Sequence, residues 1–310
     1  MENSQRIPKK KALVTSKSKL KPNVMEKFIP YLFILPAMSF LVIFVLLPLL
    51  MSFFLSLTDW NLISSSFSWK GFDNYIRLFT DKTFWQVVGN TLIYGFISVT
   101  ITVILATLLA TMLDKKIRGI NFLKGLIFLP YITPMVAVSV VWIWMFDQHF
   151  GLINWFLGLF GIDQVPWLTQ SGWAMAAIII MKIWKVVGYY TIILIAGLQN
   201  IPNDFYEAAR TDGANERQIF FKITLPLLSP SLLFVMIVAI IASFQDFDQI
   251  YMMTQGGPAD STNMLIYYLY QFGFQFFEAG YASSVAVMLF ITLFFITWLQ
   301  THFSKKWVHY

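Results

Sequence analysis

Lys182, Lys185 and Tyr189 stand at i, i+3 and i+7, a spacing that aligns two ammonium groups and a phenol along one helix face. Downstream, Ala239, Ala242, Ser243, Asp246 and Gln249 share a second face, small at its start and polar at its end. Two such stripes meeting face to face could form a hydrophilic pocket. Asp246 and Ser243 would then hydrogen-bond a polyol while Tyr189, Tyr190 or Trp184 lies against its apolar side. The same residues suit a structural ion pair, Lys182 with Asp246, that only holds helices together. Other chemistry has little to work with. The chain has no cysteine, which excludes disulfides, thiolate metal sites and cysteine nucleophiles, and His149, His302 and His309 are not spaced as a metal pair. No G-x-x-x-x-G-K-[ST] loop, G-x-S-x-G elbow or H-E-x-x-H pair occurs, so the chain is expected to be neither an ATPase nor a hydrolase, and to hold no metal or cofactor of its own.

The elements that must position these residues follow from composition. The 310-residue chain is 57% hydrophobic, 18% aromatic and 12% charged, with mean hydropathy +0.66. A soluble globular protein needs more polar surface than that. Crossing a hydrocarbon core of roughly 30 Å takes about 20 helical residues. Residues 28–58, 83–113, 125–146, 223–245 and 279–304 are free of Asp, Glu, Lys and Arg, and a sixth run, 173–198, is interrupted only by Lys182 and Lys185. These runs are continuous rather than alternating and far exceed strand length. The sequence therefore predicts an all-α membrane protein with six transmembrane helices.

Positive charge sets the expected orientation. Of the 20 lysines and arginines outside the runs, 17 lie in the N-terminal tail, residues 114–124, residues 199–222 and the C-terminal tail, and three (Lys70, Arg77, Lys82) lie in the alternate loops. Cytoplasmic loops retain Lys and Arg, so both termini and the second and fourth loops are expected in the cytoplasm. The formal net charge of +6 is thus topological, and no nucleic-acid role follows from it. Residues 1–27 read as a basic cytoplasmic tail and 305–310 as a second, flanking a membrane domain over 28–304. The first run is about 30 residues long with no small-residue cleavage site behind it, which predicts a retained anchor. The tail's lysines also suit contact with anionic lipid.

Between the fourth and fifth runs the chain reads QNIPNDFYEAARTDGANERQIFFKITLP, residues 199–226. Pro202 and Asn203 predict a helix start, with Asp204 and Glu207 near its positive end. Gly213 falls where a helix ends in a left-handed residue. Asn215 and Gln218 have capping-box spacing for a second short helix ended by Pro226. Periodicity alone allows an ordinary connecting loop or a compact helix-turn-helix presenting small residues to a partner's cleft.

This segment resembles the EAA signature of permeases in binding-protein-dependent ABC importers: E-A-A, three residues, G, nine residues, I-x-L-P. Glu207, Ala208, Ala209, Gly213, Ile223, Leu225 and Pro226 occupy every position, with Asp212 before the glycine. Further similarity to the maltose-type, carbohydrate-importing branch lies in Pro30 to Pro48, Ser56 to Trp60, Gly71 to Tyr75, Asn90 and Thr91, Leu129 to Pro134, and Thr254 to Pro258. The resemblance implies a type I importer core of six helices in a bacterial inner membrane, with residues 199–226 as a cytoplasmic coupling helix-turn-helix. It implies as partners a second homologous permease, two cytoplasmic subunits that bind ATP and Mg, and an external solute-binding protein, with an oligosaccharide or related sugar as substrate. Gln245 and Asp248, off the polar face, would suit contact with the second permease. Unlike the enteric maltose member, this sequence is expected to form neither extra N-terminal helices nor a large external domain. Glycerol-3-phosphate is an alternative solute, since Lys182 and Lys185 could serve a phosphate, and an ion-coupled carrier using Lys182, Lys185 and Asp246 as a relay is a further one.

Overall fold

The computed structural model describes residues 24–308 except 65 and 115–117, with side chains from residue 31 onward. Most of the tail expected over 1–27 and the end of the one expected over 305–310 lie outside the described residues. The described residues up to Met51 and those from Ser52 onward form two separate units. The first contains the helix Val24–Leu41 and a π-helical turn, Val42–Leu46. No strand occurs among the described residues, only an isolated bridge between Thr58 and Trp69.

Four helical runs are long and apolar enough to cross a membrane: Tyr31–Leu55, Lys82–Leu113, Trp173–Gln199 and Ala279–Ser304. These are the first, second, fourth and sixth expected spans. The third and fifth differ from expectation, because neither is one continuous helix. The third is Ile120–Ile132 followed by Met135–Met145, at 94° to each other. Pro134 supplies no amide and drives Thr133 into extended geometry (φ −66, ψ 142), so the helix stops one residue earlier. The fifth is Glu216–Leu227 followed by Ser229–Phe244, bent by 64°. Here the second short helix does not end at Pro226 but continues through a π-helical turn, Phe220–Thr224, to Leu227. The loop element and the start of the fifth span are one rod.

The second, fourth and fifth spans pack through a cluster that includes Val99, Ala106, Tyr190, Leu194, Leu232, Val235 and Ala239. Small residues allow the close approach: Ala106 and Ala110 are fully buried. At Gly188 a Cβ would lie 1.8 Å from the Ile127 carbonyl oxygen, so only glycine lets the fourth span lie against the first half of the third.

Across the spans, on the side away from residues 199–226, short segments are tied by polar contacts. Asp59 accepts bonds of 2.5 Å from both the hydroxyl and the amide of Ser68, which hold its carboxyl below the usual carboxylate range. Arg77, on the helix Asp73–Thr80, pairs with Glu278 ahead of the sixth span, and that bond raises its guanidinium above its ordinary value. Tyr268 donates to Asp81 at 2.6 Å.

Candidate functional sites

Two places gather the residues singled out by the sequence. One is the polar cluster among the spans. Lys182 and Asp246 meet at 2.6 Å with side chains 9% and 13% exposed. The other carboxylate oxygen accepts from the Tyr94 hydroxyl at 2.7 Å, and that hydroxyl also accepts from the Gln249 amide. The second span, the fourth span and the chain after the fifth are thereby joined through one carboxylate. The helical register expected for Asp246 and Gln249 does not hold. The fifth span ends at Phe244, Asp246 lies in the turn beyond it, and Gln249 belongs to a separate helix, Asp248–Met253. Asp246 reaches Lys182 from that turn rather than from a helix face.

Lys185 goes elsewhere. Its ammonium donates to the carbonyls of Pro130, Tyr131 and Thr133 at 2.7, 3.1 and 2.5 Å. Those carbonyls are the ones the break in the third span leaves without helical partners, and the cation sits at the negative end of that half-helix. All three of its N–H donors are used. Tyr189, one turn further on, stacks on Tyr131 with centroids 4.2 Å apart and planes 10° from parallel. Lys185, Gly188 and Tyr189 thus grip the end of Ile120–Ile132 from one side of the fourth span. Tyr190 is 3% exposed, inside the core cluster rather than along an open wall. Ser243 is buried and donates to the Ile240 carbonyl at 2.8 Å.

Sequence reasoning missed Tyr94, the one tyrosine of the second span. It also missed the carbonyl cluster, which the P-x-x-T-P pattern of Pro130, Thr133 and Pro134 could have flagged as a helix end inside a membrane run. Asn90 and Thr91, noted only by resemblance, anchor the loop after the fifth span. The Asn90 amide donates to the carbonyls of Asp260 and Asn263 at 2.7 and 3.0 Å, and the Thr91 hydroxyl accepts from the Leu265 amide at 3.0 Å.

The second place is residues 199–226. A helix runs Asn203–Thr211 with Pro202 at its cap and Asp204 in its first turn. Gly213 takes φ +80 and turns the chain. Asn215 accepts from the Gln218 amide while the Gln218 side chain accepts from the Asn215 amide, both at 2.9 Å, a capping box that starts the second helix. The signature residues divide between two sides of this element. Glu207 lines a cavity of about 390 Å³ with Asp114, Tyr206, Arg210 and Glu216, where Arg210 and Glu216 lie 3.6 Å apart. Ala208, Ala209, Asp212 and Ile223 line an open groove on the other side together with Phe205, which is 50% exposed. Ala209 is buried, so of the two alanines only Ala208 is presented outward. Leu225 and Pro226 are half-buried in the rod that continues into the fifth span.

Among the described residues no group of three or more His, Cys, Asp or Glu could hold a metal. A helical bundle with long apolar spans, two of them broken, defines an all-α multi-pass membrane protein. Residues 103–309 match the model for the inner membrane component of binding-protein-dependent transport systems, and the chain belongs to that family of ABC-importer permeases. It is similar to the trehalose/maltose transport system permease MalF of Thermococcus litoralis, 33% identical over 92% of this chain and 95% of that protein. The lactose transport system permease LacF of Rhizobium radiobacter is 36% identical over 89% and 94%. The fold matches a crystal structure of a bacterial ABC transporter that imports the acidic polysaccharide alginate, with TM-score 0.78 over 91% of this chain and 97% of that one, at 23% identity. Permease subunits of this kind are non-catalytic transport components coupled to an ATPase partner.

Proposed function

We propose that this chain is a permease subunit of an importer in the maltose-type branch, forming half of the path for an oligosaccharide or related sugar. The observation that carries the reading is identity of 33% and 36%, across about nine tenths of the chain, to permeases named for trehalose/maltose and for lactose. Its partners are a second homologous permease, two cytoplasmic subunits that hold ATP and Mg, and an external solute-binding protein. Residues 199–226 are the coupling element, with Glu207, Ala208, Ala209, Asp212, Gly213, Ile223, Leu225 and Pro226 as its working residues. Two short helices joined by a left-handed glycine, with an exposed phenylalanine and small residues beside it, support that role. Both termini and the coupling element face the cytoplasm, as the lysine and arginine distribution requires.

The geometry speaks for assigning Lys182, Asp246, Tyr94 and Lys185 to holding the bundle in this conformation, because both oxygens of the carboxylate and all three donors of Lys185 have protein partners. It speaks equally against glycerol-3-phosphate as solute, since the lysine pair that would take a phosphate is committed elsewhere. Tyr189, stacked with the 40% exposed Tyr131, is the aromatic surface best suited to lie against a sugar ring. The test is ATP hydrolysis by the reconstituted complex with its solute-binding protein and a panel of sugars and glycerol-3-phosphate. Stimulation by an oligosaccharide is expected, and stimulation by glycerol-3-phosphate alone would overturn the reading.

A further inference from the structure

We propose that the groove between the fifth and sixth spans, at the membrane face where the C-terminus emerges, binds an anionic phospholipid. The groove has a volume of about 560 Å³ and is walled by Leu233 and Met236 from one span and Ile296, Leu299 and Phe303 from the other, with Trp307 at its end. Only apolar chains suit such walls. The mouth is different in character. Lys305 and Lys306 are exposed, form no ion pair among the described residues, and follow directly on the last helical residue, Ser304. The Lys306 ammonium lies 5.9 Å from the centroid of Phe303, a wall residue, so the cation stands over the groove's own rim. Gln300 also lines the groove, and its Oε1 atom is buried with no hydrogen-bond partner.

The occupant follows from charge and depth together. Gln300 lies four residues, roughly 6 Å, inside the helix end at Ser304, and the lysines follow directly on that end. An acyl chain in the groove would bring its glycerol ester carbonyls to the level of Gln300, whose side-chain amide can donate to them, and its phosphate to the lysines. Trp307 sits at that level, as indoles do at a membrane interface. A zwitterionic lipid would fill the walls equally well but would gain less from two uncompensated cations. Each lysine near a membrane surface favours an anionic lipid about fivefold, so the pair gives a preference of about thirtyfold.

The experiment is native mass spectrometry of the whole transport complex taken from vesicles of equal phosphatidylcholine and phosphatidylglycerol. Wild type is expected to retain phosphatidylglycerol preferentially. The double variant Lys305→Gln with Lys306→Gln should lose most of that preference, and Ile296→Trp, which fills the groove but keeps the lysines, should lose the bound lipid. Equal retention of both lipids, or preference unchanged in either variant, overturns the proposal. Displacement by excess inorganic phosphate would overturn it in favour of a free anion. Disulfide capture of the second permease by a cysteine at Leu233 or Ile296 would overturn it in favour of a protein contact. Lipid retention is read without solute or ATP, so the result stands apart from the transport reading.

Discussion

Asp246 is the residue through which the intramembrane cluster is held, and its two oxygens answer to two different spans. Removing one partner of a buried ion pair costs about 3–5 kcal/mol, because the other charge is left uncompensated. Asp246→Asn is therefore expected to lower the thermal midpoint of the purified complex, and adding Lys182→Met should restore part of it. A midpoint unchanged in the single variant, with sugar affinity reduced, would instead return Asp246 to the solute. Lys185 makes a sharper case. Lys185→Met leaves the carbonyls of Tyr131 and Thr133 without their donor, at about 1–3 kcal/mol for each that stays dry, while the Pro130 carbonyl keeps the Thr133 hydroxyl at 2.6 Å. The expected outcome is a less stable complex whose loss is partly repaired by Lys185→Arg, measured by thermal unfolding in detergent. Wild-type stability in Lys185→Met would mean that water caps the half-helix unaided. Lys182 and Asp246 were legible as candidate partners from their residue types, although Asp246 meets the lysine from beyond a helix end and not from the expected helix face. The destination of Lys185 was not legible, because its acceptors are backbone atoms 52 to 55 residues away that become available only when another helix breaks.

The helix–turn–helix of residues 199–226 depends on one backbone conformation. A Cβ at Gly213 would meet nothing within 4 Å, so a substitution there acts through the positive φ alone, at roughly 1–2 kcal/mol. Gly213→Val is expected to leave the protein inserted at normal levels while abolishing solute-stimulated ATP hydrolysis, since the angle between the two helices changes and the membrane spans do not. Normal stimulation at normal complex levels would remove the coupling assignment. Gly188 offers the opposite situation. A Cβ there would collide with the Ile127 carbonyl, so Gly188→Ala should force the fourth span off the third and reduce the amount of assembled complex, as seen by quantitative blotting of membranes. Caps and turns of this element were readable beforehand, being written in local residue types. The two broken spans were not read as broken, although Pro134 was in view, because hydropathy measures length and not direction.

At the scale of the whole molecule, the orientation is tested by reporter fusions at Ser68, Asn121, Thr169 and Ala214. The expected pattern is outside, inside, outside, inside, and a cytoplasmic signal from Ser68 or Thr169 would break the six-span topology. The sequence by itself determined the solvent in which this protein folds, the number of apolar runs, the expected placement of the termini and the family, because composition, charge asymmetry and a short motif are properties of local residue order. Only the tertiary structure decided which polar groups meet. Partner choice in a bundle depends on where helices end and cross, and here Asp246 lies past a helix end, Tyr94 comes from 152 residues earlier in the chain and Lys185 caps a bend. A buried polar group must find whichever donor or acceptor the packing brings near, and that neighbour is set by the fold rather than by sequence spacing.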